Sequence, residues 1–164
     1  MGAGKTSVGR KLAKLTSRKF IDTDQLIASQ QQHSVADIIN NCGEKYFRML
    51  EQQAISTAMR ENNIVLATGG GSILSAHLRN LLPHYGVIYY LKVSPTNQVS
   101  RLDKDQSRPL LPRDQRLEFF TNMLENRGCL YTEIADMIIN TDDKSVDQIV
   151  QQISSLVLEY ADYQ

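Results

Sequence analysis

Apolar residues near the start of the chain fall at three-to-four spacing, in Val8, Leu12, Ala13 and Leu15, which predicts a helix that ends at Thr16-Ser17. A short apolar pair, Phe20-Ile21, then runs into Asp22-Thr23-Asp24 and reads as a strand with two acids at its carboxyl end. Residues 34–42, capped by Ser34 and closed by Gly43, and residues 45–61, with Phe47, Leu50, Ala54, Ile55 and Ala58 on one face, predict two amphipathic helices. Ile64 to Thr68 is a continuous apolar run leading into Gly69-Gly70-Gly71, as expected of a buried parallel strand that feeds a tight loop. Val87 to Val93 and Met137-Ile138-Ile139 repeat that pattern. Helical segments are expected at 75–82, 95–102, 115–127 and 145–160. The last opens on a capping box, Ser145 to Gln148, and carries Ile149, Val150, Ile153, Leu156 and Val157 on one stripe.

Strands alternating with helices imply an α/β fold in which a parallel sheet is flanked by helices on both faces. With 164 residues and 41% hydrophobic content, the chain is sized for one domain, residues 1–164. Eighteen basic and eighteen acidic residues cancel, so no bulk positive field favours nucleic acid or an anionic membrane surface. Cys42 and Cys129 are isolated, and His33, His77 and His84 lack metal-finger spacing, so neither a disulfide framework nor a structural zinc site is expected. No stretch reaches the length of a membrane-spanning helix, and the amino terminus lacks the apolar core of a signal peptide. A cytoplasmic monomer is the expectation.

The chemistry begins at Met1-Gly2-Ala3-Gly4-Lys5-Thr6-Ser7. A Gly-x-Gly-Lys-Thr run leading into a helix suits a phosphate-binding loop: small residues let backbone N–H groups curl around a triphosphate, Lys5 reaches its outer phosphates, and the Thr6 hydroxyl can sit on Mg²⁺. The plain alternative is a helix start with a glycine-rich lead-in. An apolar strand normally runs directly into such a loop and lies mid-sheet, and here neither that strand nor the first loop glycine precedes Met1. Weak stability or weak activity of the chain is therefore expected, since a central strand buries several large side chains worth roughly 1.5–3 kcal/mol each.

Further candidates follow along the chain. Asp22 and Asp24, two apart, would project from one face of a strand; alternatively Asp24 caps a helix by accepting the amides at Gln25-Leu26, which these residues alone favour. Arg48 and Glu51 lie three apart on one helix, so the carboxylate can fix the guanidinium and leave other donors for an anion, or the two form a surface pair. The glycines at 69–71 allow close approach of a ring to the backbone or merely turn the chain. Arg101 to Pro112 is polar and proline-punctuated, and reads as a lid segment at about 103–115 with an arginine for phosphate charge, or as a surface loop. Arg127, near Tyr131 and Glu133, is a second anion ligand or a helix-end cation.

In this order the stretches Met-Gly-Ala-Gly-Lys-Thr, Phe-x-Asp-x-Asp, Gly-Glu-x-x-Phe-Arg-x-x-Glu, Ala-Thr-Gly-Gly-Gly, Arg-Pro-Leu-Leu and Arg-x-x-x-Tyr-x-Glu resemble those of the shikimate kinase family, from Met1 to about Ser145. The resemblance implies a P-loop kinase fold and transfer of the ATP γ-phosphoryl group to the 3-hydroxyl of shikimate, with Mg²⁺ as cofactor. It implies that Gly2, Ala3, Gly4, Lys5, Thr6 and Ser7 cradle phosphates, that Thr6 and Asp22 hold Mg²⁺, and that Asp24 hydrogen-bonds the reacting hydroxyl. Arg48 and Arg127 would clamp the shikimate carboxylate, with Gly70 and Gly71 against the ring. Arg108 would close over the γ-phosphate, and Arg101 and the loop from Asn140 to Lys144 would flank adenine. The rival readings are a kinase of similar fold acting on gluconate and a nucleotide-binding regulatory module without catalysis.

Overall fold

The structure, a computed structural model, describes residues 2–103 and 113–161. Each predicted strand forms and is four residues long: β1 (Lys19–Asp22), β2 (Ile64–Ala67), β3 (Tyr89–Lys92) and β4 (Met137–Asn140). β1 lies parallel to β2, with Lys19 opposite Ile64 and Asp22 opposite Ala67. β3 lies parallel to β4, with Tyr89 opposite Met137 and Lys92 opposite Asn140. The α/β reading holds, and the crossovers are the helices that the apolar periodicities announced.

Those helices are α1 (Lys5–Leu15), α2 (Thr23–Gln31), α3 (Val35–Cys42), α4 (Glu44–Ala58), α5 (Ala76–Leu81), α6 (Pro95–Asp103), α7 (Arg113–Ile134) and α8 (Val146–Ala161). Ser34 Oγ caps α3 by accepting the Asp37 amide at 3.1 Å. At α8 the capping box closes both ways: the Gln148 amide reaches Ser145 Oγ at 3.2 Å, and the Ser145 amide reaches Gln148 Oε1 at 2.8 Å.

Local patterning misjudged several stretches. Leu15 is 60% exposed, because the burying stripe of α1 runs through Val8, Gly9, Leu12 and Ala13 and the last turn projects past it. α2 is foreseen only as the helix that an Asp24 cap would open, without an apolar stripe, and it is barely amphipathic, with only Thr23 and Ile27 buried. α4 stops at Ala58 rather than 61, and α7 runs to Ile134 rather than 127. The expected lid at 103–115, Arg108 included, and the side chain of Val157 lie outside the described residues.

Two apolar clusters stabilise the layers. Val8 and Leu12 of α1 pack with Ile139 of β4 and with Ile149, Val150 and Ile153 of α8. Ile27, Ile38, Phe47 and Ala54 join α2, α3 and α4. Between them the sheet is open: among the described residues β2 pairs only with β1 and β3 only with β4. A cavity of about 820 Å³ lies there, lined by Val65 and Leu66 of β2, Tyr89 and Leu91 of β3, and Gly9 and Leu12 of α1. Strands in the middle of a parallel sheet are normally buried on both faces, yet β2 and β3 are only half-buried over most of their length. The gap is where the expected central strand would lie.

An apolar β-branched segment of five residues fused ahead of Met1 should therefore raise Tm by about 10 °C, given a few buried side chains at ~2 kcal/mol each and a few degrees per kcal/mol at this size. Hydrogen exchange at the amides of Val65 and Leu91 should slow in the same variant. A version of the segment with a central proline should do neither, and equal behaviour of the two would show that the gap does not take a strand.

Candidate active site

The carboxyl ends of β1 and β2 and the start of α1 converge, and two groups of polar residues meet there. The first is built on the turn into α1. Gly4 is its N-cap in the left-handed region, at φ 81°, and Gly2 has φ 73°. The first helical turn, Lys5-Thr6-Ser7, contains no acid, and the positive end of the helix favours an anion there. Arg101 of α6 holds this turn from behind: Nη1 donates to Gly2 O at 2.9 Å and to Thr141 Oγ1 at 3.1 Å, and Nη2 donates to Thr141 O. Lys144, at the same end of the sheet, is exposed and donates to Gln152 Oε1 at 2.9 Å.

Asp22 joins this group to the next. Its Oδ2 accepts the Thr6 hydroxyl at 2.6 Å, while Oδ1 accepts the amides of Asp24 at 3.1 Å and Gln25 at 3.2 Å. Asp22 is thus both the last residue of β1 and the N-cap of α2. Both sequence readings of the acid pair need correction: Asp24 shares no strand face with Asp22, because the chain is already helical at Thr23, and the cap is Asp22 rather than Asp24. A hydroxyl and a carboxylate oxygen side by side suit a hard divalent cation whose remaining positions go to water and phosphate oxygens, so the donor set fits Mg²⁺.

Arg48 of α4 dominates the second group. Its Nη1 donates to Glu51 Oε2 at 2.7 Å, and Nη2 and Nε donate to Glu44 Oε1 at 2.9 and 3.2 Å. Glu51 is 1% exposed, and its Oε1 has no hydrogen-bond partner among the described residues. The glycine loop makes room for both side chains. A Cβ on Gly71 would stand 2.3 Å from Arg48 Nη1 and Nη2, and one on Gly69 would stand 2.2 Å from Glu51 Oε1 and 3.0 Å from Asp24 Oδ1. The triplet is therefore more than a turn, because side chains at Gly69 and Gly71 would displace the buried acid and the guanidinium.

Arg127, half-buried on α7, lines the same cavity as Gly70 and Gly71. Arg48, Asp24, the glycine loop and Arg127 are thus gathered at one end of the sheet, beside the phosphate turn. Sequence reasoning passed over Thr23, which is fully buried, donates to Ala67 O at 3.4 Å and accepts the Gly69 amide at 3.0 Å, so that the first residue of α2 fixes the start of the glycine loop. Nothing in the local pattern marked it. Tyr131, quoted only as part of a motif, proves to donate to Gly70 O.

Burial pushes the Glu51 carboxyl above its ordinary 4.5, the Arg48 pair offsets this only in part, and Asp24 and Glu44 push it further up. A carboxyl raised on folding stabilises the protein most below its unfolded value, and that contribution is lost as pH rises through the native value. In urea titrations, the wild-type chain should lose stability from about pH 4.5 upward by this term, and Glu51→Gln should flatten that segment of the profile. Gly71→Ala should drive the Arg48 guanidinium aside and weaken capture of an anionic small molecule by about tenfold or more in calorimetry, one charge-assisted hydrogen bond being worth ~1.5–3 kcal/mol.

Comparison with known proteins identifies the family of the chain. The shikimate kinase family model matches residues 1–157. The shikimate kinase of Shewanella sp. strain ANA-3 is 42% identical over 153 residues, 93% of this chain and 90% of that protein. That of Aliivibrio salmonicida is 37% identical over 159 residues, 97% of this chain and 92% of its own. Among solved structures, the shikimate kinase of Acinetobacter baumannii in complex with shikimate superposes with a TM-score of 0.91 at 35% identity, covering 98% of this chain and 89% of that one. The Bacteroides thetaiotaomicron shikimate kinase superposes with a TM-score of 0.88 at 30% identity, covering 96% and 93%. With the motifs in order, the fold shared and the match spanning nearly every residue, the chain belongs to the shikimate kinase family.

Proposed function

We propose that this chain transfers the γ-phosphoryl group of ATP to the 3-hydroxyl of shikimate, giving shikimate 3-phosphate on the route to aromatic amino acids. One observation carries the reading: the junction of β1 and α2 joins the two half-sites. Asp22 holds Thr6 of the phosphate turn, and two residues later Asp24 stands beside Glu51 and the glycine loop that seats Arg48. A nucleotide on the first group and a small acid on the second would be neighbours, which is what phosphoryl transfer requires, since it depends on alignment and charge stabilisation more than on covalent help.

In this reading the amides of Gly2 to Ser7 and the Lys5 ammonium receive the phosphates, and Thr6 and Asp22 hold Mg²⁺. The bound metal ion would neutralise triphosphate charge as the γ-phosphoryl leaves. Arg48, held in place by Glu51 and Glu44, presents its outer edge to the shikimate carboxylate, and Arg127 approaches the same carboxylate from α7. Gly70 and Gly71 let the ring lie close to the backbone. Asp24 accepts a hydrogen bond from the 3-hydroxyl and aims its oxygen along the line of transfer. Arg101 and Lys144 flank the adenine end, where Arg101 fixes the turn at Gly2. Arg108, from the segment outside the described residues, is the proposed cation over the γ-phosphate, and that segment is the proposed lid that excludes water as a competing acceptor.

The enzyme is read as a cytoplasmic monomer acting on small molecules, without nucleic-acid or membrane partners. Its charge balance supports the lack of nucleic-acid and anionic-membrane partners, and among the described residues no helix is long and apolar enough to cross a membrane.

A coupled assay offering ATP with shikimate, gluconate or nucleoside monophosphates should give turnover with shikimate. Turnover of gluconate alone would replace the substrate assignment, and ATP binding without turnover of any acceptor would favour a regulatory module. Asp24→Asn should lower kcat by about 10²–10⁴-fold, the usual range for a positioned acid-base group, while ATP affinity stays within a few-fold. Unchanged turnover would remove Asp24 from its role.

A further inference from the structure

Tyr131 lies one helical turn after Arg127 on α7, so the two side chains share a face. Its hydroxyl donates to the carbonyl of Gly70, 61 residues away in sequence, and the Arg127 guanidinium lies near it. Its ring stacks on Tyr90 of β3, with centroids 4.9 Å apart and planes inclined at 23°. The stacking fixes the plane of the ring, and with it the direction in which the O–H points.

The three carbonyls of the glycine loop are treated differently. That of Gly69 accepts from Ser72 Oγ at 2.7 Å and from the Ser72 amide at 3.2 Å, and that of Gly71 accepts from the Leu74 amide at 3.0 Å. All three bonds close within the loop and the short helical turn that follows it. The Gly70 carbonyl is tied instead to α7, across the molecule, through Tyr131 alone among the described residues. Arg48 packs on the neighbouring Gly71, where a Cβ would stand 2.3 Å from its guanidinium nitrogens. One hydroxyl thus touches the helix that carries Arg127 and the loop that seats Arg48.

Resting on the shikimate kinase reading above, we propose that Tyr131 is a positioning residue for the acid substrate: its hydroxyl clips the Gly70 peptide to α7 and so sets the spacing between Arg127 and Arg48. The clip acts on the acceptor and leaves the nucleotide turn alone. A carboxylate gripped from two sides needs its two cations at one separation, because hydrogen bonds weaken steeply with distance and angle. Without the hydroxyl, the Gly70 carbonyl loses its tertiary partner and the glycine loop loses its tie to the helix that carries Arg127. Burial holds the phenol above its ordinary range, so it remains a donor throughout neutral pH.

Tyr131→Phe keeps the ring and its stacking and removes only the clip. KM for shikimate should rise about 5–30-fold, the effect of one lost hydrogen bond and a partly buried carbonyl left unpaired. The kcat, the KM for ATP and Tm should stay near wild type. In a double-mutant cycle with Arg127→Lys, the combined loss should fall well short of the product of the single losses, because both act on one grip. Hydrogen exchange at the amides of Gly70, Gly71 and Ser72, measured on the full chain without ligand, should speed up in Tyr131→Phe. An unchanged KM for shikimate, a parallel loss in kcat and both KM values with a lowered Tm, or multiplicative behaviour in the cycle would overturn the proposal. The exchange measurement keeps it separable from the substrate assignment. Failure of the wild-type chain to phosphorylate shikimate would sink that assignment, whereas unaltered exchange in the variant would sink the clip.

Discussion

The site depends on what a single carboxylate does where a strand becomes a helix. Asp22 ends β1, caps α2 with one oxygen and receives the Thr6 hydroxyl with the other. A cap of this kind is worth about 0.5–2 kcal/mol, which alone would not distinguish it from many others. Its importance is geometric, because the two bonds lock the start of α1 to the start of α2. The phosphate turn and Asp24 consequently move together. The same carboxylate oxygen that would help hold a divalent cation is already oriented before any ligand arrives, so little reorganisation remains for the moment of reaction.

The second half of the site shows an opposite economy. Glu51 is sunk beneath the surface with one oxygen unpaired among the described residues, a costly arrangement for a carboxylate. Its other oxygen holds Arg48, and a salt bridge with so buried a partner is a poor way to gain stability. The arrangement makes sense as restraint: a long flexible side chain is held from Glu51 on one side and Glu44 on the other, with two of its five N–H donors unused among the described residues. The glycine loop belongs to the same device, since only residues without side chains leave space for both the guanidinium and the buried acid.

The middle of the sheet stands apart from this order. The residues of the site sit at strand ends, where side chains and helix termini converge, and they keep their mutual geometry although β2 and β3 face each other across a cavity. Contacts through α1 explain how: it packs on both β1 and β2 and, through Val8 and Leu12, on the cluster it shares with β4 and α8. One helix therefore ties the two strand pairs together and carries the phosphate turn at its own start.

Much of this was legible in the sequence. Alternating apolar runs and helical stripes locate every strand and most helices, because burial on a strand or helix face imposes a spacing that survives in one dimension. The capping box at Ser145 and the Gly-Lys-Thr turn are local chemistries whose partners lie within a few residues, and the order of motifs pointed to the kinase family. Other features depend on neighbours distant in the chain. That Asp22 rather than Asp24 is the cap was decided by where β1 stops, which its pairing with β2 determines. That Leu15 faces water depends on what packs against α1. The glycine triplet has its meaning from Arg48 and Glu51 some twenty residues earlier in the chain, and Tyr131 has its own from a carbonyl 61 residues away. Periodicity and turn chemistry are properties of adjacent residues, and the sequence by itself determines them; which buried groups meet, and at what distance, follows only from the packing of elements against one another.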